Sequence, residues 1–343
     1  MMAPIAGAPN PHRGISPRSC NRRTEPMATI TAASTLAFSL SPLEVALEHI
    51  SAYGFSKVEL SDQITHSKHF GVDSVDPLEV RDQLGRHSLE PIAVNACLCA
   101  VFDTGRWSHP KLSVEAQSAA ETEEIREAKK QLVFLKLHDQ EQASTYIDRA
   151  QRLLLKAEAT GIPRVCLQGG RRKQIERIGE ELKAAAAVID GLAGYAAARG
   201  IEVLLEMPHV WDLYYDVEKS KRMLSHLRSE NVGVLIDSTH WHTSGYDIDD
   251  YVQFLGERLW HVHLRDAAGR DTPAGQYQLE KTPGKGEIDF GRLGEALDKG
   301  GYRGEVTLET EYKNYGSPEE VDEENLFALD HLRSVGWRID VRS

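Results

Sequence analysis

The chain is poor in cysteine, poor in aromatics and short of basic residues. Four cysteines in 343 residues, at Cys20, Cys97, Cys99 and Cys166, are too few and too scattered for a disulfide framework. Such usage fits a reducing, cytoplasmic setting. No apolar run reaches the ~18 residues of a membrane-spanning helix. With 40 Lys+Arg against 52 Asp+Glu the formal net charge is −12, the wrong sign for a surface that grips a phosphate backbone. A glycine-rich phosphate loop after an early strand is also missing, which argues against an open doubly wound nucleotide-binding sheet. What remains is 41% apolar residues over a length sufficient for one large domain with a real core.

Residues 1–26 differ in texture from the rest. They hold five prolines, several arginines and a single acid, Glu25, and show no hydrophobic periodicity. Arg22-Arg23 hints at a twin-arginine export signal, but Glu25 and Pro26 follow where an apolar stretch is required. A disordered extension, with Met27 as an alternative start, is the expectation. A catalytic domain is expected over 34–340.

From Ser34 onward, short apolar runs precede stretches of helical periodicity. The runs are Leu36–Leu40, Lys57–Leu60, Pro91–Cys97, Arg164–Leu167, Glu202–Glu206, Gly233–Asp237, His261–Leu264 and Val306–Glu309. Helical patterns cover Pro42–Tyr53, Asp76–His87, Ala143–Ala159, Arg172–Arg199, Asp216–Arg228, Ile248–Leu255 and Phe290–Lys299. Glycines at Gly54, Gly161, Gly200 and Gly301 stand where helices should stop. Eight strands alternating with helices predict an α/β fold, a single-domain (β/α)₈ TIM barrel. Residues 103–142 interrupt the repeat after the third strand. Glu115–Lys130 has opposite charges at helical spacing, so a helical insertion is expected, either a solvated excursion or a lid or subunit contact.

Polar residues close several of the apolar runs. Glu206 ends Val203-Leu204-Leu205, Asp237 ends Val234-Leu235-Ile236, Glu309 ends Val306-Thr307-Leu308, and His263 lies within Trp260–Leu264. Strand alternation puts Glu202, Leu204 and Glu206 on one face, likewise Gly233, Leu235 and Asp237, and Glu305, Thr307 and Glu309. If those faces point inward, three carboxylates and one imidazole meet at one rim of the barrel. Buried together without compensation they would repel and lose hydration, and a divalent cation resolves that cost. An oxygen-rich set with one imidazole suits Mn²⁺, Mg²⁺ or Co²⁺ better than a thiolate-bound structural Zn²⁺, and Mn²⁺ is the expected ion.

Four segments carry a family likeness: Asp237-Ser-Thr-His240, His261-Val-His-Leu-Arg-Asp266, Pro283-Gly-Lys-Gly-Glu-Ile-Asp-Phe290 and Gly301-Tyr-Arg-Gly-Glu-Val-Thr-Leu-Glu309. Over roughly Thr35 to Trp337 the chain resembles the sugar phosphate isomerase/epimerase family of xylose isomerase-like TIM barrels. The resemblance implies that Glu206, Asp237, His263 and Glu309 are metal ligands and that His240 lies behind them or touches substrate. It also implies that Pro283–Gly286 borders the site. Two departures stand out: the family's ketose epimerases carry an Asn-Arg pair soon after the first Glu, where this chain reads Glu206-Met-Pro-His209-Val-Trp211, and the 103–142 insertion is atypical. Both point away from the usual free ketoses.

The expected function is therefore a metal-dependent sugar epimerase or isomerase that moves a proton next to a carbonyl. Glu206, Glu309 and His240 are the candidate acid–base residues, and His209, Trp211, Arg265 and Trp107 the candidate substrate contacts. The alternative is a lyase on the same fold, an inosose-type dehydratase or a keto-glycoside-cleaving enzyme, since His261–Asp266 resembles the inosose dehydratase pattern. Expected partners are a sugar or keto-sugar and either a second copy of the chain or a partner subunit. An endonuclease IV-like role needs more ligands than Glu59, Asn95 and Gln168 offer on the early strands, and the net charge opposes DNA. A non-catalytic barrel is disfavoured by the complete ligand set.

Overall fold

A computed structural model describes residues 28–63, 67, 69–72, 75–102, 123, 127, 130–171, 177–273 and 275–342. The expected N-terminal extension, Trp107 and most of 103–142 lie outside these residues. Eight parallel strands form the barrel: β1 (Ala32–Ser34), β2 (Lys57–Asp62), β3 (Glu90–Ala96), β4 (Arg164–Leu167), β5 (Glu202–Glu206), β6 (Val232–Asp237), β7 (Leu259–Leu264) and β8 (Glu305–Leu308). They pair in the closed order β7-β8-β1-β2-β3-β4-β5-β6. The expected TIM barrel is the fold.

The helices that cross between strands bury one stripe each and start and stop on recognisable signals. The helix Pro77–Arg86 has Pro77 in its first turn, and the Asp76 side chain accepts from Leu78 N. Gln140–Thr160 opens with the Asp139 carboxylate accepting from Glu141 N and Gln142 N. It closes at Gly161, whose φ of +86° is left-handed. Their apolar stripes and the outer faces of the strands build the main core. No described helix is long and apolar enough to cross a membrane.

Two sequence expectations need correction. Leu36–Leu40 is not a strand. The strand comes earlier, at Ala32–Ser34, and Thr35–Phe38 is a 3₁₀ turn that begins where Ser34 Oγ accepts from Leu36 N at 3.2 Å. All four turn residues are buried, so the segment is apolar on every side and lacks the periodicity that separates a turn from a strand. The second concerns Pro318–Ser334, a helix that was not expected. Its acids dominate the composition, yet Val321, Asn325, Ala328, Leu329 and Leu332 form a buried stripe at helical spacing.

The inward faces follow the predicted alternation. Ala93, Cys166, Leu204 and Leu235 make a small apolar cluster inside the barrel, separate from the core outside it. Trp260, at a register shift in β7, packs against this cluster. A Cβ on Gly233 would lie 2.1 Å from the Trp260 ring, which is why that inward position carries no side chain. One layer higher, at the C-terminal ends of the strands, the interior turns polar.

Two antiparallel pairs add to the rim. Ala100–Phe102 pairs with Leu132–Phe134, so the segment expected as an insertion leaves and rejoins the barrel side by side. The core helix after it begins at Gln140, inside the expected insertion boundary. Of Glu115–Lys130, only Glu123, Glu127 and Lys130 are described. Asp266–Gly269 pairs with Tyr277–Lys281 after β7.

Candidate active site

Glu206 ends β5, Asp237 ends β6, His263 lies near the end of β7, and Glu309 directly follows β8. Those strands are consecutive in the barrel, so the four groups form an arc with Glu206 and Glu309 at its two ends. All four are at most 4% exposed. Glu206, Asp237 and His263 offer ligand atoms within 4.8 Å of one another. Glu309 joins through His263, whose Nδ1 lies 3.0 Å from Glu309 Oε2.

Local structure explains the Asp-x-x-His spacing. Asp237 finishes its strand and caps the short helix Ser238–Ser244, accepting from Thr239 N and Thr239 Oγ1, both at 2.6 Å. One helical turn later, His240 Nε2 lies 3.4 Å from Glu206 Oε1. His209 covers His240, ring centroids 3.9 Å apart. His209 Nδ1 is in turn 3.5 Å from Asp212 Oδ1, which accepts from Arg171 at 3.0 Å. Burial lifts the Asp212 carboxyl to about 7, although Arg171 pulls the other way.

Behind the arc, charge is balanced in layers. His263 Nε2 meets Glu59 Oε1 at 2.9 Å, and His261 Nε2 meets Glu59 Oε2 at 3.0 Å. Burial opposes the charged form of Glu59, yet His263 and His261 outweigh it and hold the carboxyl well below its usual range. For His263, burial favours the neutral ring, but Glu309 and Glu59 on its two sides raise it well above its ordinary value. Arg265 Nε donates to Asp237 Oδ2 at 2.8 Å, and its Nη1 donates to Glu311 Oε2 at 2.8 Å. Burial raises Asp237, but Arg265, His240 and His263 bring its carboxyl down to about 2. Asn95 Nδ2 donates to Glu309 Oε1 at 2.9 Å. Burial nonetheless leaves Glu309 above the usual carboxylate value, the pull of His263 notwithstanding.

The donor set fits a divalent ion on the evidence of its unmet valences. Glu206 Oε1 and both nitrogens of His240 are buried without a well-aligned hydrogen bond, His240 Nε2 and Glu206 Oε1 standing 3.4 Å apart. Buried polar atoms are rarely left so, and a cation shared between carboxylate and imidazole is one way to satisfy them. Glu206, His209 and His240 form a second group of suitable atoms, and Glu59, His261 and His263 a third.

The arc opens into a cavity of about 200 Å³ whose lining includes Asn95, Glu206, His209, Trp211, Arg265 and Glu309. Glu206, Asp237, His263, Glu309, His240, His209, Trp211 and Arg265 each line this cavity or contact a residue that does, whereas Pro283–Gly286 is held by Asp266, which does not line it. Arg171, Glu311, Lys313 and Phe134 also line it and were not anticipated. Glu311 sits two residues after Glu309, so continued alternation would have flagged it. Arg171 carried no such signal, because a turn after Gly169-Gly170 brings it in. A larger cavity, about 450 Å³, lies at the opposite end of the barrel between Arg164, Glu202, Trp260 and Gly304, and none of the four donors of the arc lines it.

The fold and the site define an eight-stranded α/β barrel with a buried carboxylate–imidazole cluster at the C-terminal ends of its strands. The chain belongs to the xylose isomerase-like TIM barrel family, whose model matches residues 47–333. Among curated relatives, an inosose isomerase of Bacillus subtilis (strain 168) is 28% identical over 134 residues, 38% of this chain and 48% of that protein. An inosose dehydratase of Geobacillus thermodenitrificans is 30% identical over 143 residues, 36% of this chain and 46% of that protein. The matches thus span about half the length of those relatives. Among solved structures, the IOLI protein with a bound zinc atom superposes with a TM-score of 0.67 at 19% identity, covering 89% of this chain and 98% of that one. D-allulose 3-epimerase from Methylomonas sp. gives 0.63 at 16% identity, covering 90% and 99%. At these identities the likeness is one of fold.

Proposed function

We propose that the chain interconverts isomers or epimers of a keto-sugar or keto-polyol by moving a proton at the carbon next to the carbonyl. In this reading Glu206, Asp237, His263 and Glu309 hold one divalent ion, taken as Mn²⁺ because the set mixes hard carboxylates with one imidazole. The observation that carries it is the arc itself: three carboxylates and an imidazole on consecutive strands, with buried atoms still lacking a well-aligned hydrogen bond. The inosose isomerase and dehydratase relatives point the same way.

Such an ion, when bound, supplies Lewis acidity that polarises a carbonyl and steadies the negative charge left by the departing proton. The protein's own groups do the rest. Glu206 and Glu309, at opposite ends of the arc, are placed to take the proton on one side of the substrate carbon and return it on the other. His240 keeps Glu206 oriented, and Asn95 does so for Glu309. Arg265, His209 and Trp211 hold the substrate's oxygens and ring in this scheme, and Trp107 completes the proposed contacts. The proposal includes a cytoplasmic enzyme with one catalytic domain over 34–340, an extension at 1–26 and an insertion at 103–142. It acts on a small molecule rather than nucleic acid, as a homo-oligomer or with a partner subunit.

Dehydration is the second reading, favoured by the dehydratase relative and by His240. That imidazole lies 3.4 Å from Glu206 and is placed to protonate a departing hydroxyl. Incubation in D₂O with Mn²⁺ and a panel of inososes, ketoses and 3-keto-sugars, followed by NMR, tests both. Deuterium should enter at the carbon next to the carbonyl, stop with EDTA and resume with Mn²⁺. Loss of a hydroxyl from the product would select the dehydratase. No incorporation with any panel member would overturn the proposal.

A further inference from the structure

Trp211 stands at the mouth of the cavity with 39% of its surface exposed, whereas His209 and His240 beneath it are buried. Its position is held from three sides. Nε1 donates to Tyr277 Oη at 2.8 Å, the Arg171 guanidinium lies 5.9 Å from the ring centroid, and His209 meets the ring edge-on at 5.7 Å. A large apolar ring kept wet at the entrance of a polar site forgoes the free energy that burial would release. It does offer a flat, rigid face. A sugar ring presents patches of C–H bonds that pack on the electron-rich face of an indole.

The charges near that face are already matched. Arg171, Arg265 and Lys313 all line the cavity, and each has a carboxylate oxygen in reach. Arg171 is 3.0 Å from Asp212, and Arg265 is 2.8 Å from both Asp237 and Glu311. Lys313 lies 2.5 Å from Glu280 and 3.3 Å from Glu311. A phosphate or carboxylate on the ligand would compete with these partners for the cations. The cavity, about 200 Å³, is smaller than the ~300–1,000 Å³ of pockets that enclose drug-sized ligands. Its size suits a single ring, and Trp211 is the exposed aromatic on its lining against which a longer ligand can extend.

From these observations we infer that Trp211 is the platform for the second ring of an uncharged glycoside whose keto-bearing ring lies inside, against Glu206 and Glu309. This builds on the reading given under Proposed function and narrows its substrate class. Neither a free ketose nor a sugar phosphate uses the platform.

Binding without turnover separates the two ideas. Glucose, cellobiose and glucose 6-phosphate are titrated into the full-length protein and followed by saturation-transfer NMR, once in EDTA and once in Mn²⁺. Cellobiose should bind roughly three- to tenfold more tightly than glucose, the range aromatic packing supplies, with saturation on both rings. In Trp211→Ala the cellobiose-to-glucose affinity ratio should fall to about one, and Trp211→Tyr should recover part of it. Glucose 6-phosphate should gain nothing over glucose. A ratio near one in the wild type, a ratio unchanged in Trp211→Ala, or no measurable cellobiose binding overturns the platform. Tighter binding of glucose 6-phosphate overturns the uncharged class. Failure of deuterium incorporation would instead strike the proposed chemistry and leave the ratio as it is.

Discussion

Glu309 shows how many demands fall on one side chain. Asn95 holds one oxygen, His263 faces the other, and Arg265 Nε lies 3.9 Å from the same Oε2. Gln at this position keeps the length and one oxygen but loses basicity. Glu309→Gln should bind Mn²⁺ more weakly yet fill at high concentration, and under saturation should still exchange deuterium about 10²–10⁴-fold more slowly than wild type. Recovery of the wild-type rate at saturating Mn²⁺ would make Glu309 a ligand only, and His240 and His209 would be the next residues to test as the base.

At the scale of an element, the loop after the Asp266–Lys281 hairpin is organised by one buried carboxylate. Asp266 Oδ2 accepts from Gly284 N at 2.9 Å and Gly286 N at 2.8 Å, while Oδ1 accepts from Ile288 N at 3.1 Å. A Cβ on Gly286 would lie 2.3 Å from Asp266 Oδ1, so the glycine is what lets the backbone approach so closely. The Pro-Gly-Lys-Gly motif is thus anchored by Asp266, the last residue of His261-Val-His-Leu-Arg-Asp266. Asp266→Ala should leave several loop N–H groups unpaired and cost about 1–3 kcal/mol in urea unfolding. Asp266→Asn, which keeps an acceptor oxygen, should cost less. Wild-type stability in the Ala variant would show that the loop holds itself.

For the whole molecule, the arc concentrates three carboxylates and an imidazole inside a barrel that is otherwise apolar at its centre. Folding must bring Glu206, Asp237 and Glu309 out of water together, and whatever cation joins them should report as stability. Mn²⁺ at about a hundred times its Kd should add ~2.7 kcal/mol, a rise of several degrees in Tm. EDTA should reverse the rise, and Asp237→Ala should abolish most of it. A Tm indifferent to Mn²⁺ in the wild type would contradict a metal held by this arc.

Periodicity alone determined most of the architecture. Seven of the eight barrel strands fall where apolar runs precede helical stretches, and alternation correctly put Leu204 beside Glu206 and Leu235 beside Asp237 on the inner faces. Those features are local, because a strand's two-residue period is written in its own side chains. The first strand was misplaced where burial on all sides erased the period, and the helix Pro318–Ser334 was hidden by its acids. Tertiary structure alone decided which polar residues gather around the four donors. Arg171 and Asp212, His209 and His240, and Glu59 with His261 and His263 are brought together by barrel closure and loop turns across 31 to 204 residues of chain. No local pattern encodes such a contact, since each partner taken alone reads as an ordinary polar residue at a strand end or turn.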